Sequence, residues 1–252
     1  MFLKELTQSI RSYKEAHEVI LKHRLWPYLV LPGLLSFCYI IALLSVGYMY
    51  FPEISGYVND SWIPGFMKGE TTRAITSIFL WLLLLLLGYM SYKYVVLIFF
   101  SPVLSYLSEI TETVVYGQPG PEFSLSQILK DIVRGLILTL RNLALTLTFM
   151  FFAWLLVFIP VAGVLISTTL IFLIQFFYDG FGFVDYTLER KKYSVRESIG
   201  FARDHRGMVI GVGMGFIFML MIPVIGWLTA PSYATVAATL VSLRHMPGDS
   251  EE

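Results

Sequence analysis

The chain has 252 residues, of which 56% are hydrophobic and 14% charged, and its mean hydropathy is +0.70. Soluble domains run nearer about 45–50% apolar and about 25% charged, so this excess exceeds what one water-soluble core can bury and the chain reads as a membrane protein. Eighteen Lys and Arg balance eighteen Asp and Glu, which excludes the basic surplus of a nucleic-acid binder; the lone Cys38 excludes a disulfide framework, an iron–sulfur cluster and a Cys-based zinc site.

From the N-terminus, residues 2–21 have helical spacing. Phe2, Leu6, Ile10, Tyr13, His17 and Ile20 form an apolar stripe, with Lys4, Glu5, Arg11, Lys14, Glu15, Glu18 and Lys22 around it. Such a stripe either lies in the membrane interface or packs on the protein's own helices. Glu5, Glu15 and Glu18 among the bases, and the length of the apolar run that follows, argue against a cleavable signal. The first spanning run is Leu25 to Phe51, which at 1.5 Å per residue exceeds the roughly 30 Å hydrocarbon core. Pro27 suits its first turn and Pro32 is a candidate kink. A polar loop is expected over 52–73. The second span, Ala74 to Phe100, contains Leu82 to Leu87 and is interrupted by Ser91-Tyr92-Lys93. Ser101-Pro102 then opens an amphipathic segment over 103–116, which ends at the Gly117-Gln-Pro-Gly-Pro121 break. Ser124 with Gln127 reads as a capping box for the next helix.

Two broken apolar runs follow. Leu143 to Tyr178 is interrupted at Ile159-Pro160-Val161-Ala162-Gly163, and Gly207 to Val241 at Ile222-Pro223-Val224-Ile225-Gly226 and again at Pro231. The same Ile-Pro-Val-x-Gly turn, built on Pro160 and Gly163, then on Pro223 and Gly226, thus joins two pairs of apolar arms. Met208 to Ile222 is too short for a full crossing, so the second hairpin reads as re-entrant. The first, with arms of about 17 residues at 1.5 Å each, is re-entrant or a minimal span. Short, Pro/Gly-interrupted pairs of this kind point to a membrane site. The bases Lys4, Arg11, Lys14, Lys22 and Arg24, and Arg190, Lys191, Lys192, Arg196, Arg203 and Arg206, place the N-terminus, hairpin bases and C-terminus in the cytoplasm, with 52–73 outside.

The expected organisation is one membrane domain: an amphipathic helix (1–24), two transmembrane helices (25–100), an amphipathic segment and loop (101–123), a first hairpin (124–180), a basic link (181–206), a second hairpin (207–243) and a tail (244–252). The fold class is all-α integral membrane.

Three sets of residues carry candidate chemistry. Lys130, Arg134 and Arg141 fall within about 40° of one another on one helix face; they form either a ladder that draws an anion inward or arginines that snorkel or pair with Glu109 or Glu112. Lys22, His23 and Arg24 precede the first spanning helix, whose N-terminal amides and dipole favour an anion; ordinary positive-inside anchoring explains them equally. Glu109 and Glu112 are candidates for proton coupling or for an ion pair. Gly207, Gly211 and Gly215 make a close-packing face between helices, within the chain or between copies. No nucleophile elbow, P-loop or His-Glu-x-x-His is present; no enzyme, cofactor or metal is expected.

The ordered set Ser101, Pro102, Leu104, Leu107 and Glu109, then Ile159-Pro160-Val161-x-Gly163, Asp185-Tyr186-x-Leu188-Glu189-Arg190 before Ser194, Ile222-Pro223, Ala230-Pro231 and Ala237-Ala238-Thr239 resembles the CysZ family over roughly residues 10–243. That family comprises bacterial inner-membrane sulfate permeases feeding cysteine synthesis, and its superfamily includes eukaryotic etoposide-induced proteins of the endoplasmic reticulum. The resemblance implies two transmembrane helices plus two hemi-penetrating hairpins, a homo-oligomer, and a small inorganic anion such as sulfate as the partner, besides the lipid bilayer. Where the family carries Gly-Leu-Arg, associated with sulfate binding, this chain reads Arg24-Leu25-Trp26. The expected function is a permease for sulfate or a related oxyanion. The rival reading is a non-transporting membrane scaffold that shapes lipid.

Overall fold

Eight α-helices and two short 3-10 turns make up the described residues, 1–117 and 125–246, of the computed structural model. The helices are α1 (Phe2–Lys22), α2 (Pro27–Ser61), α3 (Glu70–Tyr116), α4 (Leu125–Leu155), α5 (Gly163–Arg190), α6 (Val195–Asp204), α7 (Arg206–Leu220) and α8 (Ile225–Leu243). The chain is an all-α, multi-pass membrane protein. Among the described residues four stretches are long and apolar enough to cross a bilayer: Phe37–Ser61, Glu70–Gly88, Val133–Phe158 and Gly163–Arg190.

Helix boundaries depart from the sequence expectation in three places. The polar loop expected over 52–73 shrinks to residues 62–69, because Glu53, Ser55 and Asn59 continue the helix and Asn59 Nδ2 donates to the Ser55 carbonyl at 2.8 Å. The second span and the amphipathic segment expected to open at Ser101-Pro102 form one continuous helix. Pro102 removes one backbone donor, yet the turn around it is held by the burial of Phe100, Ser101 and Leu104, and α3 continues to Tyr116. The first hairpin's arms, expected at about 17 residues each, are 26 and 28 residues long, since Arg134 and the polar run Asp179 to Arg190 extend their helices beyond the apolar core. Both arms of that hairpin are long enough to cross a bilayer. The 15-residue α7 remains short of a crossing. The break over 118–121 and the expected cap at Ser124 lie outside the described residues.

Two compact units are present, one of residues 34–96 and one of residues 1–33 with 97–252. In the first, α2 and α3 pair antiparallel. Tyr39 Oη donates to the Gly88 carbonyl at 2.9 Å, Phe51 stacks on Trp81 at 4.8 Å, and the Ser55 and Ser77 hydroxyls meet at 3.3 Å. Leu82, Leu83, Leu85, Leu86 and Leu87 stay exposed, as a surface bathed in lipid tails requires.

The second unit is built around α7, which two helices grip on different faces. Its Gly207, Gly211 and Gly215 face lies against α1. A Cβ on Gly211 would come within 2.7 Å of Ser9 Cβ, and one on Gly215 would enter the Tyr13 ring. Ser9 Oγ donates to the Met208 carbonyl at 3.0 Å and Tyr13 Oη to that of Val212 at 2.6 Å. The glycine face is therefore covered by the chain itself. On the other side Gly213 meets the backbone of Phe176, and Gly180 that of Val209, so α5 and α7 touch main chain to main chain. Buried α8 lies against α1, α5 and α7.

The buried face of α1 is Glu5, Ser9, Ser12, Ala16 and Ile20. Of the apolar stripe read from the sequence, only Ile20 is buried; Phe2 and Ile10 are nearly half exposed. Small and polar groups turn inward, and the outward side mixes Phe2, Leu3 and Ile10 with Lys4, Arg11, Lys14 and Glu18, a mixture compatible with a membrane interface.

The two Ile-Pro-Val-x-Gly turns are built alike. Val161 and Val224 take φ of 67° and 65°, and Val224 has ψ of −66°. Ala162 N–H donates to the Pro160 carbonyl at 2.8 Å, and Ile225 N–H to that of Pro223 at 2.7 Å. These are strained γ-turns centred on β-branched residues. Gly163 and Gly226 then start the returning helices, where a Cβ would run into the carbonyls of Leu156 and Met219. Both tips carry exposed apolar side chains, including Phe158 and Leu165 on one and Met221 and Ile225 on the other.

Candidate functional site

Arg134 and Arg141 stand two turns apart on α4, so a shared face is expected from spacing alone. Arg134 is held in place: Nη2 lies 3.1 Å from Asp185 Oδ1 and from Ser198 Oγ, Nη1 donates to the Tyr193 carbonyl at 2.6 Å, and Nε is in charge contact with Glu189 Oε1 at 3.3 Å, outside hydrogen-bond geometry. Asp185 and Glu189 are one turn apart on α5 and their side chains are buried. The ion-pair partners found for Arg134 are thus two α5 carboxylates, Asp185 and Glu189, while Glu112 pairs with Arg190 and Lys191. The side chain of Lys130 lies outside the described residues.

Glu112 on α3 receives the Arg190 guanidinium at 2.8 Å and the Lys191 ammonium at 2.5 Å. Arg190 also donates to Ser108 Oγ at 3.0 Å, and Ser108 continues to Thr239 and Thr187. Burial pushes the Glu112 carboxyl up, but the hydrogen bond from Lys191 and the Arg190 guanidinium outweigh it and hold the group below the usual glutamate range. Glu109 lies half-buried one turn earlier. The geometry makes Glu112 one partner of an ion-pair network.

Arg141 is different. It opens onto a cleft of about 320 Å³ formed with Phe177, Tyr178 and Phe181 of α5, Ile199, Ala202 and Arg203 of α6, and Arg206 of α7. Arg141 Nη1 donates to its neighbour Asn142 at 3.3 Å, and Arg206 Nε to the Arg203 carbonyl at 2.9 Å. Among the described residues, none of these three arginines is held in an ion pair. Arg141 sits about 12 Å along the helix from the start of the span at Val133. The local fold explains the convergence. Ser194 caps α6 with a reciprocal Glu197 bond, so that short helix begins at a fixed point and delivers Arg203 from its last turn, with Arg206 opening α7. Arg141, Arg203 and Arg206 thus line one open, partly aromatic-walled cleft, and guanidiniums are donor groups suited to oxygen-rich anions.

The expected anion site at Lys22, His23 and Arg24 has another local explanation. Arg24 has φ of 56°. Its N–H donates to the Leu21 carbonyl at 3.4 Å and that of Leu25 to Ile20 at 2.9 Å, with Leu25 and Ile20 in one buried cluster. This is a Schellman closure of α1, in which Arg24 holds the left-handed position that suits the glycine of the resemblance. Pro27 has no N–H, and those of Tyr28 and Leu29 are spent on the Leu25 and Trp26 carbonyls. Few amides remain to cradle an anion there. Arg203 and Arg206 are the residues the sequence missed as site groups. They were visible only as charges of the basic link, and their convergence with Arg141 depends on contacts more than 60 residues apart.

The family described as sulfate transporter CysZ/etoposide-induced protein 2.4 matches residues 12–231. The chain is 30% identical over 170 residues to a protein of Pseudomonas syringae pv. tomato named sulfate transporter CysZ, covering 67% of this chain and 66% of that protein. It is 31% identical over 146 residues to a protein of the same name from Pseudomonas fluorescens, covering 57% of each. The matches thus span less than two thirds of either relative's length.

Proposed function

Since the chain belongs to the sulfate transporter CysZ/etoposide-induced protein 2.4 family, we propose that it carries sulfate or a related small oxyanion across the bacterial inner membrane to supply sulfur assimilation. The observation that carries this reading is the cleft of Arg141, Arg203 and Arg206, three guanidiniums without ion-pair partners among the described residues. An arginine inside a span is costly unless paired or wet, and an open cleft keeps it wet while leaving its donors for cargo. Arg134 serves as the fixed strut beside it. The N-terminus, hairpin bases and C-terminus face the cytoplasm by charge bias, and the protein works as a homo-oligomer without an enzymatic step.

Labelled sulfate uptake into proteoliposomes, with sulfite and thiosulfate as competitors, tests the reading. Saturable uptake above empty liposomes, reduced by Arg141→Gln at unchanged insertion, is expected. Absence of uptake by folded, inserted protein would overturn it. The scaffold reading, which rests on the exposed apolar hairpin tips and α1 stripe, would then lead.

A further inference from the structure

Histidines without a metal-like spacing in the sequence come together in the fold. Glu5 of α1, His205 at the α6–α7 joint and His245 just past α8 each present one ligand atom, and these atoms lie within 4.8 Å of one another. We propose that the three residues form a binding site for a divalent first-row transition metal of the zinc class, distinct from the arginine cleft and independent of the transport reading.

The geometry fits. Three atoms no more than 4.8 Å apart share a point at most about 2.8 Å (4.8/√3) from each, so an inward shift of about 0.7 Å per ligand reaches the 2.0–2.1 Å of a zinc–nitrogen bond. His245 Nδ1 donates to the Val241 carbonyl at 2.8 Å, which fixes its tautomer and leaves Nε2 with a free lone pair. Donation of the second ring nitrogen to a carbonyl is the habitual support of a metal-bound imidazole. His205 Nδ1 faces Glu5 Oε1 at 3.4 Å, long for a hydrogen bond but short enough for both atoms to turn onto one ion. The two rings stand edge to face with centroids 5.1 Å apart. Glu5 is 5% exposed, and Gly207 makes room for it: a Cβ there would lie 2.9 Å from Glu5 Oε2.

The donor set matches as well. Two imidazoles and one carboxylate are a recurrent zinc set, with a fourth position left to water, whereas magnesium and calcium call for oxygen ligands throughout. The ligands come from residues 5, 205 and 245, so a bound ion ties α1, the α6–α7 joint and the end of α8 together. That joint also carries Arg203 and Arg206.

Full-length protein without a polyhistidine tag, purified in detergent and stripped of metal, is titrated with Zn2+ by calorimetry and with Co2+ by visible absorption. One ion per chain is expected, with a rise in melting temperature as metal is added. His245→Ala and His205→Gln each weaken binding on the order of tenfold or more and abolish the thermal shift, while His17→Ala, at a histidine bonded to Tyr233, leaves both unchanged. Absence of saturable binding to folded wild-type protein, or binding that both variants retain in full, overturns the proposal. Should both variants fail to fold, the Co2+ spectrum of the wild type decides: nitrogen ligation of one ion per chain supports the site, and an aqua-ion spectrum overturns it.

Discussion

Arg134 and Arg141 are the same residue type on the same face of one helix, and the fold uses them in opposite ways. Around Arg134 stand Asp185, Glu189, Ser198 and the Tyr193 carbonyl; around Arg141 stand aromatic rings and two more arginines. In the first setting the charge is neutralised and its geometry fixed, so it holds α4, α5 and α6 in register. In the second, the side chain lines a cleft, donates to Asn142 and makes no ion pair among the described residues. A paired arginine inside a membrane protein reads as a structural device, and the proposed function rests on the other kind, an arginine beside a cavity with no ion pair among the described residues. Spacing along α4 cannot separate the two, because the distinction resides in α5 and α6.

The largest expected effect tests the paired side. Arg134→Met takes the Arg134 guanidinium away from buried Asp185 and Glu189, and breaking a buried pair on one side costs about 3–5 kcal/mol. Thermal unfolding in detergent should show a large drop in melting temperature or a failure to yield monodisperse protein. Adding Asp185→Leu and Glu189→Leu to that variant should recover much of the loss, since an apolar cluster of similar volume replaces the ion pairs. Wild-type stability in the single variant would mean that Arg134 is as unconstrained as Arg141.

Several features were legible in advance. The long apolar runs, the repeated Ile-Pro-Val-x-Gly turn and the glycine face of α7 follow from local spacing, and the fold class follows from them. The side of α1 that is buried was not legible, because the glycine face of α7 selects small Ser9 for close approach, and Ser12 rather than the apolar stripe is buried with it. Within the candidate site, Arg141 was readable as an arginine inside an apolar run. Its companions Arg203 and Arg206 were not, since the order α4, α5, α6, α7 fixes who meets whom only once the hairpins have packed. The Glu5, His205 and His245 group was invisible for the same reason: its members are separated by 200 and 40 positions.

A smaller effect concerns the second paired cluster. Glu112 titrates below the usual glutamate range in the folded protein, so its pairing with Arg190 and Lys191 stabilises the fold at pH values above the ordinary glutamate range. That contribution is lost as pH falls through the depressed folded value. Melting temperature followed from pH 7 downward should therefore hold level to about pH 5 and then decline. Glu112→Gln should start lower and show a shallower acid decline. Parallel curves for the two proteins would remove Glu112 from the paired class.

The smallest effect on stability carries the most weight for function. Arg141→Gln and Arg203→Gln remove charges that no ion pair among the described residues depends on, so each should shift stability by no more than about 0.5 kcal/mol, with like-charge relief opposing the lost packing of the side chain. Sulfate affinity should nonetheless fall on the order of ten- to hundredfold for each, the size of a charged hydrogen bond of about 1.5–3 kcal/mol. If both arginines contact one bound anion, the double variant should fall short of the sum of the single losses, because the second substitution removes a contact already weakened by the first. Strict additivity would place the two arginines at separate stations along a path. A loss of stability in step with the loss of affinity would instead make Arg141 a second Arg134 and dissolve the contrast between them.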